Sequence, residues 1–195
     1  MYLNKKIIAI IPARLGSKRL KFKNLKIFKK KPLFLLSMIC AKKSKFIDRV
    51  FLSTDSKKIN NIAKNNGFKI EKLRQKKLSG SKSKSRDVVL DVLKKVKNKY
   101  DYFILLQPTS PLRNLRDINS SIKIIIKKNL NSLVSVNKSN YKINGAIYIQ
   151  KINFFLKKKN FLHKNTYKFK MPNKRSIDID TLKDYEKLGK HENNR

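Results

Sequence analysis

Residues 6–13, KIIAIIPA, are apolar on both alternating faces, the pattern of a strand covered on both sides of a sheet. KPLFLLSMICAKKS (31–44) predicts a largely buried helix, and RVFLSTD (49–55) a second strand. In SKKINNIAKNNG (56–67), Ile59, Ile62 and Ala63 share one helical face, and Gly67 suits the left-handed residue beyond the helix end. FKIEKL (68–73) predicts a third, weaker strand. Val88, Val89, Val92, Leu93 and Val96 recur at helical spacing, as do Leu115, Ile118, Ile122 and Ile125. Between them YFILLQ (102–107) is the strongest central-strand pattern. NSLVSV (131–136) and GAIYIQ (145–150) predict two more strands. SIDIDTLKDYEKLGK (176–190) predicts a short strand and then a helix begun at Asp180 or Thr181, with Asp184 placed for a weak capping box.

Strand and helix alternating in this way imply a Rossmann-like three-layer α/β/α sandwich with a mostly parallel, mixed sheet. Ligands of such sheets bind beyond the carboxyl ends of the strands. The polar segments that follow the strands are therefore the ones to weigh: ARLGSKR (13–19), STD (53–55), LQPTSPLR (106–113) and SIDID (176–180). No repeat or Gly/Ser linker interrupts the 195 residues, so one domain over 1–195 is expected.

Composition changes this picture in one respect. The formal net charge is +38, which predicts nonspecific attraction to nucleic acid and other polyanions. The cations are 41 Lys against 9 Arg, with 30 in residues 1–100 and 20 in 101–195. That spread reads as a compositional bias rather than a built nucleic-acid face, which concentrates charge and favours Arg. The single cysteine, Cys40, lies in an apolar stretch and reads as core packing in a reducing cytoplasm. Pro12 and Arg14 break the first apolar run, so no leader peptide is expected, and no run is long enough for membrane insertion.

The first loop contains neither common nucleotide fingerprint, G-x-x-x-x-G-K-[ST] or G-x-G-x-x-G. A buried strand entering Arg14, Gly16, Ser17 and Lys18, with Arg19, Lys21 and Lys23 close behind, nevertheless has the ingredients of an anion site. Gly16 permits a tight turn there. On the residues alone, a phosphate cradle and a solvated basic loop stand level.

AIIPARLGSKRLKFKNLKIFKKKPL resembles the amino-terminal signature of the CMP-sialic acid synthetases, the acylneuraminate cytidylyltransferases. FLSTDSKKINNIAKNNG, LLQPTSPLR, NGAIYI and SIDIDTLKDYE match the same family in the same order. The resemblance implies a nucleotidyltransferase-type fold and a Mg²⁺-dependent reaction. In it the anomeric hydroxyl of an acidic nine-carbon sugar, a nonulosonic acid of sialic or legionaminic type, attacks the α-phosphate of CTP and releases pyrophosphate. It implies nucleotide binding by Arg14, Gly16, Ser17, Lys18, Lys23 and Asn24, with base recognition by Arg74 and Ser85. Arg14, Lys18 and Gln107 take catalytic roles, and Gln107, Thr109, Ser110, Asn144 and Tyr148 the sugar. Asp178 and Asp180 correspond to the metal-binding aspartates; on a strand, i and i+2 carboxylates share one face. Arg113 reads as a structural clamp, and His163 and His191 as surface residues.

The match departs from the family at Gln75, where a Pro is usual, and at Ser81, where an acid is usual. A larger departure lies between LVSVNKSN and YKINGAIYI. The family's dimerisation arm is missing there, between about 140 and 141, which leaves the family dimer and part of the sugar site without a basis. Two further readings therefore stay open: a related transferase for another acidic 3-deoxy sugar, or CTP-binding homologue with impaired activity, and a basic nucleic-acid-binding protein.

Overall fold

The computed structural model describes the backbone of residues 2–80, 83–97 and 99–193, and side chains through residue 189. Ser81 and the side chain of His191 lie outside the described residues. The strands are β1 (Ile7–Pro12), β2 (Ile27–Phe28), β3 (Lys31–Pro32), β4 (Arg49–Ser53), β5 (Tyr102–Leu105), β6 (Ser132–Asn137), β7 (Ile143–Lys151) and β8 (Tyr167–Met171). The helices are α1 (Leu33–Lys42), α2 (Lys57–Asn65), α3 (Ser85–Val96), α4 (Leu115–Lys127), α5 (Ile152–Lys158) and α6 (Leu182–Asn193).

Six strands form one sheet in the order β4-β1-β5-β7-β6-β8, while β2 and β3 form a separate hairpin. β7 is antiparallel to both of its neighbours, and the other ladders are parallel. Alternation along β1 explains the layers. Ile7, Ala9 and Ile11 pack with Phe34, Met38, Ile59 and Ile122 from α1, α2 and α4. Ile8 and Ile10 pack on the opposite face with Val89, Val92 and Phe155 from α3 and α5. A third cluster joins Leu20, Phe28, Leu33, Ile179 and Leu188, tying the basic loop and the hairpin to the carboxyl-terminal segment. Each fully buried Leu, Ile or Phe contributes about 1.5–3 kcal/mol.

Several local expectations hold in detail. Gly67 follows α2 at φ 73°. Thr181 and Asp184 form the capping box of α6, with Thr181 N–H donating to Asp184 Oδ2 (2.8 Å) and Asp184 N–H to Thr181 Oγ1 (3.3 Å). Asn114 and Asp117 form another at α4.

Two strand expectations fail. FKIEKL forms no ladder; side-chain contacts of Glu71 and the Arg74 N–H to Thr54 O bond (2.7 Å) hold it instead. Its pattern offers one apolar face only, which Phe68 satisfies by packing against Lys42 and the α1/α2 core. SIDID also lacks a ladder, and crosses the sheet end on one backbone bond, Ile179 N–H to Thr109 O (2.8 Å). The sheet position next to β6 is already filled by β8. β8 itself, YKFKM, carries period-two alternation, with Met171 buried and Lys168 and Lys170 exposed. No helix among the described residues is long and apolar enough to cross a membrane.

Candidate active site

The carboxyl end of β1 runs directly into the basic loop. Ala13 N–H donates to Ser53 O (2.9 Å), extending the β1–β4 ladder by one step. Leu15 N–H then donates to the carboxylate of Asp55 (2.8 Å), and Asn24 Nδ2 to the carbonyl of Arg14 (2.8 Å). These bonds fold residues 13–24 back over the sheet end and close one side of a cavity of about 380 Å³.

Arg14, Ser17, Lys18, Lys23 and Asn24 line that side. Arg74 and Ser85 line the second wall, Gln107 and Thr109 the floor at the end of β5, and Asp180 the rim. Residues from four separate stretches are thereby brought into one cation-rich space. Arg14 Nη1 donates to Gly80 O (2.7 Å) and Ser79 O (3.4 Å), bridging the first loop to the second.

Arg74 is the most exacting residue here. It is 5% exposed, and its Nε and Nη2 have no hydrogen-bond partner. Burial lowers its pKa; Asp55 opposes that shift, and the neighbouring Arg14 adds to it. A buried guanidinium with unmet N–H groups on a cavity wall is costly unless a ligand meets them.

The two aspartates sit differently. Asp180 accepts from Lys23 Nζ (2.9 Å) and Arg19 Nη1 (3.0 Å) at the rim. Asp178 lies deeper; burial raises its pKa, a hydrogen bond from Thr109 lowers it, and the Asp180 charge raises it again. Gly145 borders it, and its backbone conformation is one that favours glycine. At φ +72° it has no side chain, and a Cβ there would lie 3.4 Å from Asp178 Oδ2 and 3.8 Å from Gln107 Oε1. Asp178, Gln107 and Thr109 therefore share one corner beneath β7.

Other residues named from sequence fall outside the cavity lining. Gly16 does not line it, its φ is not in the left-handed region, and a Cβ there would meet nothing within 4 Å. The tight turn expected of it is absent, since the loop is held by the Asp55 and Asn24 bonds instead. Ser110 is fully buried, with its Oγ unpartnered. Asn144 spends its amide on structure: Oδ1 accepts from Ser135 Oγ (2.6 Å) and Ala146 N–H (3.2 Å), and Nδ2 donates to Ser176 Oγ (3.0 Å). Tyr148 packs on Phe161 (5.2 Å), and its phenol is raised by burial and then by Asp178. Arg113 is the expected clamp, donating to Ala146 O (2.7 Å), Gln107 O (3.1 Å) and Ser37 Oγ (2.7 Å). His163 is half-buried, with a ring nitrogen 2.9 Å from Asn160 O.

Arg19, one of the loop cations to which the resemblance gives no site role, lines the cavity as well. The second omission is Asp55; its signal was the polar STD segment following β4.

As a cation site, the pair Asp178 and Asp180 offers hard oxygen donors beside the cation-lined cavity. No group of three or more His, Cys, Asp or Glu gathers among the described residues. Two carboxylates completed by substrate phosphates and water are the donor set that a small divalent cation such as Mg²⁺ accepts, so the residues fit.

A mixed six-stranded sheet with this cavity across the carboxyl ends of β1 and β5 defines an α/β nucleotidyltransferase fold. The structure of CMP:2-keto-3-deoxy-manno-octonic acid synthetase complexed with CTP superposes with a TM-score of 0.78, covering 97% of this chain and 100% of that one at 16% identity. The family model described as Cytidylyltransferase matches residues 8–195, and the chain belongs to that family. CMP-N,N'-diacetyllegionaminic acid synthase of Legionella pneumophila is 31% identical over 92% of this chain and 93% of its own length. N-acylneuraminate cytidylyltransferase of Escherichia coli is 31% identical over 93% of this chain, but the chain spans 51% of that protein. Pseudaminic acid cytidylyltransferase of Campylobacter jejuni is 33% identical over 76% of this chain and 65% of its own length.

Proposed function

We propose that the chain transfers CMP from CTP to the anomeric hydroxyl of a nonulosonic acid and releases pyrophosphate. One observation carries the reading: a single cavity joins a cationic loop, a buried arginine with unmet donors, and a polar floor with Asp180 at its rim, while Asp178 lies behind the lining near Gln107 and Thr109. The names of the relatives in Legionella, E. coli and Campylobacter support the acceptor class.

In this reading Arg14, Lys18 and Lys23 neutralise the triphosphate, and Ser17 and Asn24 position it. Arg74 and Ser85 meet the base. Gln107 and Thr109 orient the acceptor hydroxyl, with Tyr148 beside Asp178 on the sugar side; Ser110 and Asn144 shape that side from behind. The hydroxyl oxygen forms a bond to the α-phosphorus as the bond to the bridging oxygen breaks. Pyrophosphate leaves with the electron pair, and the hydroxyl proton passes to water. Alignment and charge neutralisation supply the acceleration. Mg²⁺, held by Asp178 and Asp180, screens phosphate charge when bound.

Asn137 and Lys142 close a short turn between β6 and β7 through Asn137 N–H to Lys142 O (2.8 Å). We accordingly read residues 1–195 as one catalytic domain without an arm at that joint. We assign the reaction to the cytoplasm, the reducing compartment that a lone cysteine suits.

Pyrophosphate release is measured with CTP, Mg²⁺ and a panel of acidic sugars. Release is expected with a nonulosonic acid, falling by about 100-fold or more in Arg14→Ala and abolished in Asp178→Asn/Asp180→Asn. If CTP binds and no sugar gives release, the chain is a nucleotide-binding homologue. If CTP fails to bind and single-stranded nucleic acid is held at physiological salt, the nucleic-acid reading replaces this one.

A further inference from the structure

Asp180 stands at the cavity rim with both carboxylate oxygens met by cations of the basic loop. Lys23 Nζ lies 2.9 Å from Oδ1, and Arg19 Nη1 lies 3.0 Å from Oδ2. The two partners are not equally fixed. The Lys23 side chain is 16% exposed, whereas that of Arg19 is 69% exposed. The meeting is nevertheless built into the backbone. Leu20 and Ile179, the chain neighbours of Arg19 and Asp180, belong to one buried cluster, and Asp180 N–H donates to Asp184 Oδ2 (3.1 Å). Asp180 is thereby anchored, and Arg19 is the partner able to leave. An ion pair this exposed is weak, so exchanging it costs little.

A divalent cation on Asp180 and a guanidinium on Oδ2 exclude each other, because like charges would meet at one oxygen. Arg19 has a second class of partner within the same space. It lines the cavity together with Arg14, Lys18 and Lys23, and its planar fork suits phosphate oxygens better than a single carboxylate oxygen. A triphosphate entering there draws the guanidinium inward. Asp180 Oδ2 is then released just when phosphate oxygens are present to complete the shell of a small divalent cation.

We propose that Arg19 is an exchangeable counter-ion: it holds the Asp180 carboxylate until nucleotide phosphates take the guanidinium, and so opens that carboxylate to the divalent cation only together with the triphosphate. The proposal rests on the nucleotide reading of the cavity and on Asp180 as a cation ligand. It makes Arg19 a determinant of binding order, with the cation held poorly before the triphosphate and well after it.

Two separate titrations of the full chain test this. One uses Mn²⁺ alone, with free Mn²⁺ read by electron paramagnetic resonance, and the other uses CTP in EDTA, read by calorimetry. Arg19→Ala is expected to bind Mn²⁺ about threefold more tightly and CTP about tenfold more weakly. Lys21→Ala removes a charge from the same loop outside the cavity lining, and is expected to move neither affinity appreciably. In an Asp180→Asn background, Arg19→Ala is expected to leave Mn²⁺ binding unchanged. Shifts in Lys21→Ala equal to those in Arg19→Ala would assign the effect to the general field of the chain and overturn the proposal. Mn²⁺ affinity that stays the same or falls in Arg19→Ala overturns it, and so does CTP affinity that holds. Mn²⁺ binding equal in Asp180→Asn and the wild type removes Asp180 from the cation site, and the proposal with it. A wild-type chain that binds no CTP overturns the nucleotide reading instead, and is told apart because no variant is then needed.

Discussion

At the scale of single residues, the site holds groups that its own fold makes expensive. Asp178 is the clearest. Its carboxyl is raised above the ordinary range mainly by burial. A carboxyl with a raised folded pKa contributes stability that is fully present below its unfolded pKa and lost as pH rises through the folded value. At neutral pH the ionised group therefore destabilises the ligand-free chain. Asp178→Asn keeps the shape and removes the charge, so it is expected to raise the melting temperature, by about 2–4 °C for each kcal/mol recovered. The same variant is expected to lose pyrophosphate release. Thermal melts at pH 7 beside the activity assay check this, and a lower melting temperature would sink the account. Stability given up for a functional charge is a common arrangement at active sites.

Among elements, the decisive device is the clamp at Arg113. It joins the turn after β5, the strand β7 and the helix α1 by bonds to Gln107 O, Ala146 O and Ser37 Oγ. Burial lowers its pKa to about 10, which still leaves it charged at neutral pH. Two nitrogens of the rigid fork share the work, Nη1 on Gln107 O and Ala146 O and Nη2 on Ser37 Oγ, whereas a lysine would have to meet all three acceptors from one nitrogen on a shorter reach. Arg113→Lys is therefore expected to cost about 3 kcal/mol, read as a lower urea midpoint, because it leaves buried oxygens unmet. A change below about 0.5 kcal/mol would contradict the clamp. A second device is the bidentate pair from Arg175 to Asp117 (2.9 Å each), which pins the segment ahead of Asp178 to the amino end of α4. Ser176 bonded to Asn144, Ile179 to Thr109 and Asp180 to Lys23 then hold the SIDID segment although it belongs to no strand.

For the whole molecule, the net charge of +38 acts on every equilibrium at once. Self-repulsion opposes compactness, and the same field draws anionic ligands. Salt screens both, with a Debye length of about 10 Å at 0.1 M. Raising NaCl from about 20 to about 300 mM is thus expected to raise the melting temperature and to weaken CTP several-fold. Melts and calorimetry over that range check the two signs together. A fall in melting temperature with salt would show that the charges are organised in favourable pairs, not in net repulsion.

The sequence by itself determined the layers, the strand-end location of the site and most of its cast. Runs apolar on both faces, as in β1, admit only a covered strand, and helical spacing from Val88 to Val96 admits only a helix against it. Arg14, Lys18, Lys23, Asn24, Arg74, Gln107 and Asp180 were all legible, because each follows a strand or belongs to a recognisable block, and all of them line one cavity. Tertiary structure decided what local pattern cannot encode. FKIEKL and SIDID read as strands, but the edge next to β6 is filled by β8, and FKIEKL is held beside β4 by the Arg49–Glu71 and Arg74–Thr54 bonds with no ladder of its own. The NGAIYI block points to Asn144 as a sugar contact, but in the fold Ser135 and Ser176 occupy its two amide ends. Gly145, Asp178 and Gln107 meet because antiparallel β7 pairs Tyr148 with Leu105 at the end of β5, 43 residues apart in the chain, which brings Gly145 beside Gln107. Asp55 gained its meaning in the same way. Its type was visible in STD, but the two loops that converge on those residues come from opposite sides, and only packing brings them together.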